Sequence, residues 1–392
     1  MKKKIAILGS TGSIGKTLLK IINDDKKNYK IILLTARSNY KELLNQTTKL
    51  KVENVIIQDY SSFLKFKKLN KNNKIKIYNN FNHLNKIFKK KIDYVMSSIT
   101  GIDGLSPTLK IIKFTKTIAI ANKESIICGW NLIFDQLKKN NTKFIPVDSE
   151  HFSLWYALKG NKVKEIEKVY LTASGGPFYN LPIKKFKDVS IDRAIKHPNW
   201  SMGKKISIDS ATMINKIYEV IEAKNIFSLT YDKIEILTHP KSYIHAMVKF
   251  IDGVIKIIAH ETTMKIPISN TLPNTRTNLF KTKKINIEML NNLNFKKVDS
   301  KRYPMVKILN LLPNKHSLYE TILVSANDTL VDLFLSKKIK FIDIQKELFK
   351  LIKSKEFLKY RKIYPQNLDT IIDLNNYVRL KILKKVYKSE NV

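Results

Sequence analysis

The sequence predicts an α/β protein in three parts: an N-terminal Rossmann-like domain, a central α+β domain and a C-terminal helical bundle. Three observations point there. Short β-branched runs alternate with amphipathic stretches up to Val147. A glycine-rich turn follows the first of those runs. From Tyr303 onward apolar residues recur at helical spacing. The chain's 392 residues exceed the roughly 250–300 that one core usually supports. Its 43% apolar and 10% aromatic content excludes wholesale disorder.

In residues 1–147, strands are predicted at Lys4–Leu8, Lys30–Thr35, Asn54–Gln58, Tyr94–Ser97, Thr117–Ala121 and Lys143–Val147. Helical patterns at Lys16–Asn23 and Tyr40–Leu50 lie between them, as in a parallel sheet covered by helices. Over residues 148–272 the rhythm changes to strands at Lys168–Ala173, Ile234–Thr238 and Val254–Ala259, Gly-, Pro- and Ser-rich loops, and one helix over Ser210–Asn225. Pro273–Lys301 is polar and Asn/Lys-rich and reads as a linker. In residues 302–392, Tyr303–Leu312, Ser317–Leu335 and Ile342–Leu351 read as helices of a small bundle.

The net charge of +39 invites a nucleic-acid reading. Only six of the 72 basic residues are Arg, however, and the Lys residues are spread along the whole chain. Arg is the preferred reader of phosphates and base edges, so no dedicated nucleic-acid partner is expected. One cysteine, Cys128, excludes an internal disulfide and a cysteine-cluster metal site. No apolar run approaches the ~18 residues of a membrane span, and Ile5–Leu8 is too short for the core of a signal peptide. A cytoplasmic protein without a membrane partner is expected.

Gly9-Ser10-Thr11-Gly12-Ser13-Ile14-Gly15 follows a strand and opens a helix. Glycines there permit a tight turn, and the free N–H groups of the helix start suit a pyrophosphate. An NAD site would place an acid at the end of the second strand. This strand ends instead in Ala36-Arg37-Ser38-Asn39, a cation with hydroxyl and amide donors, which favours the 2′-phosphate of NADP.

Asp148 and Glu150, in Pro146-Val147-Asp148-Ser149-Glu150-His151, would point the same way in extended chain. Two hard carboxylates with no cysteine nearby favour Mg²⁺ or Mn²⁺. A third ligand is available from the helix bearing Glu219 and Glu222. Solvated loop carboxylates are the bland alternative. Ser174 in its glycine turn, with Ser210, Asn215 and Lys216, forms a donor set suited to a phosphate monoester; the last three fall within a turn and a half of one helix. Capping and surface polarity would explain the same residues. His197-Pro198-Asn199-Trp200-Ser201-Met202-Gly203-Lys204 carries a Trp and a Met between Pro and Gly, either as core plugs or as the underside of a lid. Beside a phosphate site, His197 would serve as an anion contact or proton donor.

Taken together, Gly9–Gly15, Ala121-Asn122-Lys123-Glu124-Ser125, Pro146–His151, Ser174–Phe178, His197–Lys204, Ile206–Lys216, Glu219-x-x-Glu222-Ala223 and His239-Pro240 resemble, in order and spacing, 1-deoxy-D-xylulose-5-phosphate reductoisomerase. The resemblance spans nearly the whole chain. It implies a homodimeric, NADPH- and divalent-metal-dependent enzyme of the non-mevalonate isoprenoid pathway, in which a carbon–carbon bond is cleaved and re-formed. NADPH then reduces the branched aldehyde to 2-C-methyl-D-erythritol 4-phosphate. By position it implies Asp148, Glu150 and Glu219 as metal ligands, with Glu222 in support. Ser149, Ser174, His197, Ser210, Asn215 and Lys216 would hold the sugar phosphate, Lys123 would approach it and Trp200 would cover it. Thr11, Gly12, Ser13, Ile14, Asn122, Glu124 and Gly203 would contact NADPH. Arg37 stands where the family usually has Gly, and His260–Lys265 and Leu272-Pro273 replace a Gly-rich Asp-Met-Arg stretch and a Trp-Pro. Two other classes compete: an aspartate-semialdehyde-type dehydrogenase, which would need Cys128 as nucleophile, and a Lys-rich binder of acidic surfaces.

Overall fold

The computed structural model describes residues 1–273, 282 and 284–390, with side chains through 386. The strands are β1 (Lys3–Leu8), β2 (Tyr29–Ala36), β3 (Asn54–Ile57), β4 (Lys76–Tyr78), β5 (Ile92–Ser97), β6 (Thr115–Ile120), β7 (Lys143–Pro146), β8 (Ile166–Ala173), β9 (Ile234–Thr238), β10 (Ile244–Phe250), β11 (Ile255–Ala259) and β12 (Lys296–Lys297). Helices up to the middle of the chain are α1 (Ser13–Asp24), α2 (Tyr40–Leu50), α3 (Tyr60–Leu69), α4 (Leu84–Ile87), α5 (Leu105–Ile112), α6 (Lys123–Lys139), α7 (Ser149–Ala157), α8 (Ile191–Ala194), α9 (Lys204–Ala211) and α10 (Ile214–Phe227). Then follow α11 (Lys265–Thr271), α12 (Ile287–Asn291), α13 (Leu318–Leu335), α14 (Phe341–Ile352), α15 (Lys355–Leu358) and α16 (Leu368–Glu390).

Two compact units result. One comprises Met1–Ser125, Leu132–Phe152 and Thr263–Lys283; the other comprises Ile126–Asn131, Ser153–Thr262 and Lys284–Val392. In the first, seven parallel strands run β4-β3-β2-β1-β5-β6-β7. Ile5, Ile7, Leu34, Val55, Tyr94 and Ala119 are buried together, which explains why these strands read as apolar runs. The chain steps outward from β1 to β4 and returns beside β1 as β5. That reversal opens a crevice at the carboxyl ends of β1 and β5, where α/β sheets take their ligands. α11 packs on α1, and its Thr271 hydroxyl meets Tyr94 Oη at 2.6 Å.

The second unit is built on a mixed sheet of order β11-β10-β8-β9-β12. β8 pairs with β9 in parallel and with β10 in antiparallel fashion. α10 packs on its buried face, with Val220, Ala223 and Phe227 against Val169, Leu171 and Val248. α13, α14 and α16 pack into the helical C-terminal part. The fold class is therefore the expected one.

Several elements differ from their expected form. β10 and the short β4 and β12 were not anticipated. Of the Pro273–Lys301 linker, 274–281 and 283 lie outside the described residues. Lys296 and Lys297 pair with Thr238 and Leu237, so that stretch closes the second sheet. The single helix expected over Ser210–Asn225 is two helices. Met213 takes a left-handed conformation (φ 69°) that ends α9 and starts α10 in a new direction.

Candidate active site

Gly9 leaves β1 at φ 80°, and its N–H donates to Thr35 Oγ1 at 2.9 Å. A Cβ at Gly15 would lie 2.5 Å from Gly9 O, so that glycine is demanded by the turn itself. Gly12 is different. A Cβ there would meet only Gly9 O, at 3.4 Å, so none of the described residues crowds that position before α1. α1 has no side-chain cap and no acid in its first turn, so the N–H groups that open it, those of Ser13, Ile14 and Gly15, face out of the helix end. Space and donors together fit a pyrophosphate. Ser10 and Gln46 stiffen the turn from behind through Ser10 Oγ to Gln46 Oε1 at 2.8 Å.

At the end of β2, Arg37 pairs with Asp103 at 3.0 Å, both largely exposed. Ser38 is exposed, and Asn39 caps α2 by accepting from Glu42 N at 3.3 Å. After β6, Asn122 caps α6 by accepting from Ser125 N, while its amide nitrogen donates to Ile99 O and to Gly101 O, the latter at 2.8 Å. Glu124 follows in the first turn of α6 and is buried.

Asp148 and Glu150 are not in extended chain. α7 begins at Ser149, and Asp148 caps it, accepting from Glu150 N at 3.2 Å. An Asp directly before a helix start is drawn to those N–H groups, which is why the strand geometry expected from spacing does not hold. Ser149 Oγ donates to Glu150 Oε2. Lys123 Nζ rests on Asp148 Oδ2, and His151 Nδ1 lies 3.2 Å from Asp148 Oδ1. Burial opposes ionisation of Asp148, yet the Lys123 ammonium and His151 hold its carboxyl well below the usual range. His151, fully buried, was missed as a site residue; its i+3 offset from Asp148 was the available signal.

In the second unit, Gly176 makes the phosphate-type donors neighbours. A Cβ there would lie 3.0 Å from Ala211 Cα and from Ser210 O, so the Ser174 turn sits directly on the end of α9. Tyr303 Oη braces it by donating to Gly175 O at 2.8 Å. Asn215 and Lys216, in the first turn of α10, both engage Glu219. Asn215 Nδ2 donates to Glu219 Oε1 at 2.5 Å, and Lys216 Nζ is paired with Oε2. Glu219, Glu222 and Lys216 are all buried. Asp148 carries the Lys123 ammonium and Glu219 that of Lys216. A carboxylate that recruits a positive charge in this way suits a hard divalent cation.

His197 Nε2 lies 2.9 Å from Ser174 Oγ, and burial pushes its pKa down to about 4. Trp200 is half-buried, edge-on to His245 with centroids 6.0 Å apart, so it is not a core plug. Gly203 begins α9 with open space around it. Cys128 is fully buried, which leaves it unsuited to serve as a nucleophile.

Three family descriptions match in succession: 1-deoxy-D-xylulose 5-phosphate reductoisomerase over residues 5–129, its C-terminal domain over 144–227, and the DXP reductoisomerase C-terminal domain over 260–381. The 1-deoxy-D-xylulose 5-phosphate reductoisomerase of Pelagibacter ubique (strain HTCC1062) is 60% identical across 97% of this chain and 98% of its own. The chain belongs to the 1-deoxy-D-xylulose 5-phosphate reductoisomerase family. It is an NADPH-dependent oxidoreductase that takes 1-deoxy-D-xylulose 5-phosphate to 2-C-methyl-D-erythritol 4-phosphate with a divalent metal. The Sulfurihydrogenibium sp. (strain YO3AOP1) reductoisomerase is 37% identical over 97% of this chain and 98% of that one. Among solved structures, a reductoisomerase in complex with NADPH, fosmidomycin and magnesium superposes with a TM-score of 0.90 at 29% identity, covering 99% of both chains. The Zymomonas mobilis reductoisomerase with NADPH gives 0.86 at 30% identity, covering 98% of this chain and 99% of that one.

Proposed function

We propose that the reductoisomerase reaction is distributed over this chain as follows. Residues 1–147 bind NADPH, 148–272 carry the catalytic and dimerisation functions, and 302–392 form the helical domain. Asp148, Glu150 and Glu219 hold Mg²⁺ or Mn²⁺. Thr11, Gly12, Ser13 and Ile14 take the pyrophosphate, and Asn122, Glu124 and Gly203 complete the NADPH site. Arg37, Ser38 and Asn39 face the 2′-phosphate.

The observation that carries this reading is the packing of Gly176 on Ser210 and Ala211, which makes one donor group of Ser174, His197 and Ser210. Ser210, Asn215 and Lys216 supply hydroxyl, amide and ammonium hydrogens to a phosphate, and Ser149 a further hydroxyl. Binding energy at that remote phosphate orients the reacting end of the sugar. Lys123 and Lys216 occupy carboxylates that a cation would take over, which releases both ammonium groups to the substrate. His197, neutral above about pH 4, acts as a hydrogen-bond donor rather than as a charged acid. Trp200 covers the substrate and excludes water from the reactive aldehyde stage. When bound, the divalent cation supplies Lewis-acid stabilisation of adjacent oxygens and NADPH supplies the hydride.

The phosphate reading is tested by Ser174→Ala and Asn215→Ala. Both should raise KM for the sugar phosphate about tenfold, the effect of one or two lost hydrogen bonds, and leave KM for NADPH unchanged. Unchanged substrate KM in both would refute it.

The active form is a homodimer joined through β11. This strand lies at the sheet edge, with Ile255 53% and Ile257 50% exposed, an apolar edge that a second copy would cover by isologous pairing. Ile257→Lys should convert a dimer to a monomer by analytical ultracentrifugation; a parent that sediments as a monomer would refute the assignment. Dependence on NADPH supports a cytoplasmic location. No described helix is long and apolar enough to cross a membrane.

A further inference from the structure

We infer that Asn199 is a positioning residue for the reaction: it clamps the turn that fixes the ring of His197. The inference rests on the reading of Ser174 and His197 as substrate-phosphate donors.

Asn199 N and Trp200 N both donate to His197 Nδ1, at 3.1 and 3.0 Å. A ring nitrogen that accepts bears no proton, so the neutral ring carries its hydrogen on Nε2 and donates it to Ser174 Oγ at 2.9 Å. Ser174 Oγ also accepts from Gly176 N at 3.0 Å. With its acceptor side occupied twice, the serine hydroxyl has its own hydrogen left to give to an anion. The order of donors is therefore backbone N–H to His197, His197 to Ser174, and Ser174 to a phosphoryl oxygen.

That order depends on the chain folding back over the ring at residues 199 and 200. The Asn199 amide holds it there. Asn199 Nδ2 donates to Pro240 O at 2.5 Å and to Ser242 Oγ at 2.8 Å, which uses both of its hydrogens. The partner is itself a tight turn, closed by Ser242 N to His239 O at 3.0 Å, with Ser242 at φ 52°. A non-glycine residue adopts that conformation only where surrounding contacts hold it. Neither Pro198 before it nor Trp200 after it offers a comparable side-chain amide. Loss of the Asn199 amide frees the 197–200 turn, withdraws the two N–H donors and lets the proton move to Nδ1, which reverses the donor order at Ser174.

The test uses the full-length protein with ¹⁵N-labelled histidine. The His197 ring is identified by its loss in His197→Gln. The parent should show the Nε2–H tautomer. Asn199→Ala and the isosteric Asn199→Asp, which presents an acceptor to Pro240 O, should both populate the Nδ1–H form. Both should also raise KM for 1-deoxy-D-xylulose 5-phosphate about tenfold, as for a weakened hydrogen-bond chain, with kcat and KM for NADPH little changed. Retention of the Nε2–H tautomer in both variants overturns the inference, as does a tautomer change without a rise in substrate KM. A parent inactive on this substrate would refute the site reading alone, because the tautomer measurement needs no substrate and still decides the clamp.

Discussion

Lys123 Nζ is paired with Asp148 Oδ2, linking the first residue of α6 to the residue that caps α7. The pair keeps Asp148 ionised although burial works against it. On the proposed assignment of Asp148 as a metal ligand, a carboxylate maintained in this way would exchange its lysine for a divalent ion without first losing a proton.

Asp148→Asn should therefore abolish metal-dependent turnover while the Gly9–Gly15 turn stays intact. We expect kcat to fall by more than the roughly 10–100-fold that loss of an outer partner costs. NADPH affinity, measured by fluorescence titration, should stay within a factor of two or so. Equal turnover of mutant and parent across a Mg²⁺ or Mn²⁺ titration would remove Asp148 from the site.

No carboxylate ends β2, so NADPH should exceed NADH by at least about tenfold in kcat/KM, roughly 1.4 kcal/mol. Arg37 is held by Asp103 at 3.0 Å and must leave it to meet a 2′-phosphate. Arg37→Ala should raise KM for NADPH and spare NADH, whereas Asp103→Asn should lower KM for NADPH. Parallel changes for the two cofactors would show that Arg37 does not read the phosphate.

Trp200 distinguishes a lid from a core. Truncating a core Trp costs about 3–5 kcal/mol. Trp200 is only half-buried, so Trp200→Ala should keep the unfolding midpoint within a few degrees while raising KM or lowering kcat. A large midpoint loss with unchanged kinetics would mark it as structural.

Glu320 sets a pH dependence of stability. It accepts from Ser317 N at 3.2 Å and Ser317 Oγ at 2.6 Å at the start of α13, and burial raises its pKa from 4.5 to about 7. The folded protein therefore binds more protons than the unfolded chain between those values. Its contribution to stability is fully present below about pH 4.5 and is lost as pH rises through about 7, on the order of 3 kcal/mol. Glu320→Gln keeps the capping acceptor and removes the charge, so it should flatten this slope and raise the midpoint most at pH 8. A parent and mutant with parallel pH profiles from 5 to 8 would contradict the assignment.

Much of this was legible because the relevant signals are local. Strands buried on both faces, such as β1 and β5, announce themselves as apolar runs, and the glycines of the first turn mark where backbone must approach backbone. What escaped depends on distant packing. Nothing in Met213 itself dictates a left-handed residue; the break lets the end of α9 meet Gly176. β4 is a three-residue edge strand in a Lys- and Asn-rich stretch, and β12 exists only through its pairing with β9. Glu150 was expected in extended chain because its spacing from Asp148 has period two, but capping by Asp148 turns the same two residues into a helix start. Asn199 sat in view inside the lid segment, yet its partners are 41 and 43 residues away.

This chain both rearranges and reduces its substrate, which is checked with purified protein, NADPH, Mg²⁺ and 1-deoxy-D-xylulose 5-phosphate, followed by NADPH absorbance and product NMR. One NADPH should be consumed per molecule of 2-C-methyl-D-erythritol 4-phosphate formed, with both lost in Asp148→Asn. Absence of NADPH oxidation, or a straight-chain alcohol from simple reduction of the ketone, would contradict it.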